Sequence, residues 1–310
     1  MLIVIALGGN ALVKKGERGT LEEQRRNLKF ALSQISELAK IHDLVITHGN
    51  GPQVGNIYLQ QEIASKRVPP MPLDVCGAMS QGMIGYLIQQ ELANFLKESG
   101  LGKNVVTLLT RVLVDHNDPA FKNPTKPIGP YYSEVEAKRL IREKDWSMVY
   151  QAGKGWRRIV PSPSPQGIVE IDSIKALLLK NIIVICAGGG GIPVIRKNGK
   201  LVGVEAVIDK DLTSSLLAIE LNADMLVILT DVEGAAIYYG TPRQYFLGNV
   251  TVSEIRKYLK AGYFPPGSMG PKVLACIRFV ESTGKPAVIA KLEKVKDAIE
   301  GSAGTRIIPD

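Results

Sequence analysis

Three lysines stand in settings that suit the handling of a small, highly charged anion. Lys210 lies between Asp209 and Asp211, where a helix begins. Asp209 is a good N-cap, but a lysine in the first turn opposes the helix dipole, and a bound phosphate there would remove the conflict. Lys272 follows Gly267-Ser268-Met269-Gly270-Pro271 and again opens a helix, whose N–H groups suit an anion. Lys126 sits in Lys126-Pro127-Ile128-Gly129-Pro130-Tyr131, bracketed by prolines. Any one of them alone reads as a solvated surface lysine. Their weight comes from the glycine segments around them: Gly8-Gly9-Asn10, Gly49-Asn50-Gly51 and Gly188 to Gly191. Backbone stripped of side chains lets main-chain N–H groups approach a ligand's oxygens, which is how proteins hold phosphate.

The elements that must position these residues are four apolar runs. LIVIAL from Leu2 meets Gly8, DLVITH from Asp43 meets Gly49, NIIVICA from Asn181 meets Gly188, and DMLVILT from Asp224 meets Asp231-Val232-Glu233-Gly234. Continuous Val/Ile/Leu runs without polar alternation fit strands buried on both faces of a parallel sheet. In open α/β sheets the ligand crevice lies beyond the carboxyl ends of such strands. Helical spacing covers residues 20–40, 73–98, 174–179, 212–221, 252–261 and about 271–282; residues 104–115 read as a strand or strand pair, and 287–290 and 306–308 as closing strands. Alternation of strand and helix predicts an α/β fold. The pattern breaks between His116 and Gly167, where seven prolines and both tryptophans fall. So long a structureless loop would be unusual in a compact domain, so this stretch reads as an inserted subdomain with a small core from Trp146, Trp156, Tyr131 and Tyr132. It would serve as a moving lid that brings Lys126 to bound substrates.

The 310 residues are 45% hydrophobic and 22% charged, an ordinary composition for a soluble protein, and no segment has the apolar length to span a bilayer. Three scattered cysteines form no CxxC pair, and a cytoplasmic protein without structural disulfides is expected. The net charge is +8, but the basic residues are dispersed and aromatics are few, which argues against nucleic acid and for steering of small anions. No GxxxxGK[ST] loop is present, and GxGxxG fails because the glycine after Gly49-Asn50-Gly51 comes one residue late, so a nicotinamide-dependent enzyme is poorly supported. Three histidines (His42, His48, His116) form no evident acid–base pair.

Taken in order, ALGGNAL, THGNGPQVG, KPIGPYY, CAGGGGIPV, VIDKDLTSSLLA, LTDVEGA and GSMGPKV resemble the carbamate kinases, within the amino acid kinase superfamily. The resemblance covers essentially the whole chain. Many superfamily relatives carry a catalytic lysine in the first strand where this chain has Ala6; in carbamate kinases a lysine of the protruding insert takes that role, and Lys126 matches it. The resemblance implies an open, mostly parallel αβα sandwich. Residues 1–205 would form an acceptor-binding and dimerising lobe, with 116–167 protruding, and 206–310 a nucleotide lobe. On this reading Lys126 and Lys272 grip phosphoryl oxygens, with Lys210 on the nucleotide side, and the resemblance makes Asp211 the residue that orients lysines. Gly8, Gly9, Asn10, Gly49, Asn50 and Gly51 would cradle carbamate; Asp209, Lys210, Val232, Tyr238, Met269 and Lys272 would meet the nucleotide. Mg²⁺ would accompany ATP or ADP without an assignable protein ligand, though Asp209 or Asp211 could assist through water. The partners implied are small-molecule substrates and a second copy of the chain, with no nucleic acid or membrane. A phosphotransferase with another acceptor, or a non-catalytic nucleotide sensor on the same fold, remains open at this stage.

Overall fold

The computed structural model describes residues 1–14 and 16–310. Eight strands make the main sheet: β1 (Leu2–Leu7), β2 (Asp43–His48), β3 (Val105–Thr107), β4 (Ile183–Ile185), β5 (Met225–Thr230), β6 (Asn249–Thr251), β7 (Ala287–Lys291) and β8 (Thr305–Ile308). Their spatial order is β6-β8-β7-β5-β1-β2-β4-β3. Only the β7–β8 pair is antiparallel. The four apolar runs are therefore β1, β2, β4 and β5, side by side and parallel. Their carboxyl ends share one edge of the sheet.

β1 shows why the runs are continuous. Ile3, Ile5 and Leu7 enter a core with Leu28, Leu32 and Ile35 of helix α1 (Leu21–Leu38) and Ile84 and Ile88 of helix α3 (Leu73–Glu98). Val4 and Ala6 enter the opposite core, with Leu217 of helix α4 (Lys210–Glu220) and Val273 and Ile277 of helix α5 (Met269–Thr283). Every side chain from Ile3 to Leu7 is fully buried, so neither face has a place for a polar residue. Each of the large aliphatics contributes roughly 1.5–3 kcal/mol on burial. This is the αβα sandwich. α1 starts at a capping box between Thr20 and Glu23, which satisfies two otherwise orphaned amides.

Helix α2 (Gly51–Ala64) is not marked by the sequence periodicity. Its buried residues are only Gln53, Val54, Gly55 and Ile57, too few to set an apolar stripe. The insert carries a three-stranded sheet (Lys126–Tyr132, Met148–Gln151, Gly155–Val160) and a helix, Glu134–Lys144. Its core is not self-contained, contrary to expectation. Trp146 is buried, but against Tyr58 of α2 as well as Tyr132, while Tyr131 stays exposed. Ile128 and Val160 join Val54, Ile57, Leu73 and Cys76 of α2 and α3. The insert's last strand-forming residues, Pro165–Ile168, pair back with Arg111–Val114 in a separate four-stranded sheet.

Candidate active site

Three turns meet where β1, β2 and β5 end. Gly8 needs its missing side chain: a Cβ there would lie 2.8 Å from the Leu229 carbonyl oxygen of β5. Gly49 rests against Gly9 and the aliphatic stem of Lys210, both about 3.4–3.5 Å from where its Cβ would be. Beyond Gly49, the α2 N-cap Asn50 makes no capping bond. Its Nδ2 donates instead to Ser80 Oγ of α3 at 2.7 Å. Ser268 likewise gives α5 no side-chain cap, although there the Gly270 N–H donates to the Pro265 carbonyl at 2.9 Å and Pro271 has no N–H. Both helices thus point a positive dipole end out of the sheet edge, and α2 adds N–H groups without a side-chain cap, as anion sites require.

The cations are organised by two carboxylates at the start of α4. Asp209 Oδ1 accepts from the backbone N–H groups of Asp211 (2.9 Å) and Leu212 (3.4 Å), and its Oδ2 accepts from Lys126 Nζ at 2.8 Å. Asp211 is 2% exposed. Its Oδ1 holds Lys210 Nζ at 2.5 Å and its Oδ2 holds Lys272 Nζ at 2.9 Å. Burial by itself would raise the Asp211 carboxyl, but the Lys210 and Lys272 ammonium groups outweigh it and keep the group well below the usual carboxylate range. The two lysines part company. Burial pulls Lys210 below its ordinary value despite Asp211, whereas the attraction of Asp211 overcomes desolvation at Lys272 and raises it. A second neighbour, Lys272, also works against the charge on Lys210. A site that crowds cations this way has an unfilled demand for negative charge.

Lys126, Lys210, Lys272, Asp209 and Asp211 line one cavity of about 690 Å³, with Gly8 and Gly9 on its wall. Adjoining it, and sharing Thr230, Asp231, Ser268 and Lys272, is a narrower pocket of about 240 Å³ with Val232, Met269, Tyr239, Tyr263 and Phe264 in its lining. One pocket is cationic; the other is apolar and aromatic. Lys126 already stands in the larger one, on Asp209.

The model of the amino acid kinase family matches residues 1–291. The carbamate kinase of Pyrococcus horikoshii is 55% identical over 310 residues, 99% of each chain. The chain belongs to the amino acid kinase family, in its carbamate kinase branch. Among solved structures, carbamate kinase from Giardia lamblia bound to AMP-PNP superposes with a TM-score of 0.94 at 49% identity, covering 100% of this chain and 98% of that one. A protein of Aeropyrum pernix reaches a TM-score of 0.95 at 47% identity, over the full length of both chains.

Placed on this family member, the residues singled out from the sequence fall into groups. Lys126, Asp209, Lys210, Asp211, Lys272, Gly8 and Gly9 come together on the cavity wall. Gly49 rests against Gly9 and Lys210, and none of Gly49, Asn50 and Gly51 is among the lining residues. The side chain of Asn10 lies outside the described residues. Val232 and Met269 line the narrow pocket. Tyr238 does not; it packs edge-on against Tyr263, centroids 5.0 Å apart, and so backs a lining residue. Ala6 is fully buried in the α4-side core, and the cation enters from the insert. Gly188 to Gly191 depart from the anion-cradle reading. The space a Cβ would need at these four positions is taken by His48, Asn50, Ile208 and Val112 respectively, so the run is packed against protein.

Asp231 and Ser268, named above only as strand-end and glycine-segment neighbours, also line the cavity, as do Lys14, Lys291 and Glu293, which no sequence signal picked out. The strand-end rule nonetheless applies to Lys291, the last residue of β7. Tyr239, Tyr263 and Phe264 sit in irregular segments, where no periodicity says which ring faces inward.

Proposed function

We propose that the chain catalyses ATP + carbamate ⇌ ADP + carbamoyl phosphate. The observation that carries this reading is the arrangement of three lysines from three separate segments, Lys126, Lys210 and Lys272, on two carboxylates of a single helix start. Relatives named carbamate kinase, about half identical over the full chain, support it. The relative solved with AMP-PNP supports a nucleoside triphosphate as one substrate.

Carbamate already carries an anionic oxygen, so no base has to remove a proton. Catalysis then consists of aligning two anions and neutralising the charge spread over the moving phosphoryl group. Lys126, Lys210 and Lys272 supply that neutralisation. Asp211 fixes the last two in direction and Asp209 holds the first. Gly8 and Gly9, with the uncapped amides of α2 behind them, would receive carbamate. The apolar pocket of Val232 and Met269 would take the base, and the amides opening α5 the phosphates. Mg²⁺ would accompany the nucleotide and supply positive charge that lowers the charge of its phosphates. Asp209 and Asp211 are already occupied by lysines, and the described residues contain no cluster of metal-ligating side chains; the donor set fits an ion held mainly by phosphate and water oxygens. On this reading the β1, β2 side of the sheet serves the acceptor and the β5, β7 side the nucleotide.

A homodimer is part of the same proposal. β3 leaves one edge of the main sheet unpaired, and beside it α3 exposes Met79, Met83 and Tyr86. Edge strands and apolar patches of this kind are ordinarily covered.

The assay is ATP formation from ADP and carbamoyl phosphate with Mg²⁺, with acetyl phosphate as the competing donor. Rapid turnover that prefers carbamoyl phosphate is expected, falling by about a hundredfold or more in Lys126→Ala, as for loss of a preorganised charge. Full turnover by Lys126→Ala would overturn the role of the insert. Absence of turnover despite ADP binding would point to another acceptor or a sensor.

A further inference from the structure

Lys126 lies on a segment that extends from the sandwich, so something must set how far it reaches. The strand carrying it crosses α2 at a contact between two glycines. A Cβ on Gly55 would sit 2.6 Å from both the Cα and the N of Gly129. Both obstructing atoms are backbone, so no side-chain rotation relieves the clash. Gly129 is three residues from Lys126 on the same strand; its φ of +71° also disfavours a side chain. Arg157 Nε donates to its carbonyl at 2.9 Å.

Contacts continue along one face of α2, at the spacing of successive helical turns. Tyr58 and Trp146 of the insert both meet the Arg158 guanidinium, 4.6 and 4.3 Å from their ring centroids, and the two rings also touch each other, centroids 5.9 Å apart. Arg158 is 8% exposed. Glu62 pairs with Lys144 at the far end of the helix. Gly55, Tyr58 and Glu62 thus tie α2 to the insert over most of its length. At its other end α2 begins at Gly51, directly after the turn in which Gly49 touches Lys210.

We propose that Gly55 and Gly129 are positioning residues: their backbone contact sets the reach of Lys126, and α2 and the insert form one body that carries this lysine. The inference deepens the phosphoryl-transfer reading given above and rests on it for its kinetic arm. One added methyl at Gly55 lifts the insert by on the order of 1 Å, enough to cost up to about a hundredfold in rate when a catalytic group is displaced.

The test is Gly55→Ala, alone and combined with Lys126→Ala, in the ATP-forming assay. A second readout is acetylation of Lys126 by acetic anhydride, measured by peptide mass spectrometry. Gly55→Ala should lower kcat by roughly ten- to a hundredfold with little change in KM for ADP, and the loss should vanish in the Lys126→Ala background. Lys126, displaced from Asp209, should acetylate several-fold faster. An equal kcat loss in both backgrounds, or unchanged labelling, would overturn the proposal. If the unaltered chain does not turn over, the reading of function fails and labelling alone decides the positioning question. If Gly55→Ala does not fold, Tyr58→Leu, which removes one of the two rings against Arg158, takes its place; unchanged Lys126 labelling there would count against the shared body.

Discussion

At the scale of single residues, the site is governed by what burial does to charge. An isolated buried carboxylate would protonate, and an isolated buried lysine would lose its proton. Asp211 escapes the first because two ammonium groups bracket it, one on each oxygen. In the proposed reaction, the surplus of cations over carboxylates would be met by the substrate's negative charge. His48 shows the opposite solution. It is buried, its Nδ1 donates to the Gly49 carbonyl at 3.0 Å, and burial, with Lys210 nearby, pushes it from 6.5 down to about 4. It therefore stays neutral, which rules it out as a standing charge for phosphate. A consequence follows for stability. The folded value lies below the unfolded one, so between pH 6.5 and about 4 the unfolded chain binds the extra proton. Stability contributed by neutral His48 is thus complete above the unfolded value and is lost as pH falls through that window, by about 3 kcal/mol in all. Thermal melts across this range should show His48→Gln losing less stability on acidification than the parent. Parallel pH profiles for the two would contradict the assignment.

At the scale of elements, Lys210 stands out because helix starts have a grammar: a capping Asp209, then a lysine that the dipole disfavours, then Asp211. The parallel strands were legible because burial on both faces leaves unbroken apolar runs. Two things were not. α2 escaped because only Val54 and Ile57 of its hydrophobic residues are buried, and the rest of its contact with the insert is a backbone crossing, aromatic rings and an ion pair. Gly188 to Gly191 were misread because a glycine needed for ligand approach and one needed for close packing look identical in sequence. The structure separates them. Gly190 has φ +90°, and a Cβ there would lie 2.3 Å from the Ile208 carbonyl oxygen. Ile208 immediately precedes the cap of α4, so the loop after β4 is a buttress for the helix start. Gly190→Ala should destabilise the protein by about 2 kcal/mol or more, through backbone strain plus overpacking, visible as a lower urea midpoint. A midpoint unchanged from the parent would show that the loop yields without disturbing α4.

At the scale of the whole molecule, the proposed dimer and the order of the strands are the features that matter most. In the dimer proposal, Tyr86, 54% exposed on α3, would be covered by the second copy. Tyr86→Glu should then shift sedimentation velocity toward a monomer while leaving the fold intact; unchanged sedimentation would place the contact elsewhere. Strand order has a different bearing, on biosynthesis. β1 lies near the middle of the sheet, with β2 on one side and β5 on the other. Its register with β5 joins Ile3 to Met225. Once made, β1 therefore keeps one hydrogen-bonding edge open for about 220 further residues, which at typical elongation rates is roughly 10 to 40 seconds. Over that interval a nascent chain holding only the β1, β2, β3 and β4 half presents a template for mispairing, and this protein's yield in a cell will depend on what shields that edge until β5 arrives.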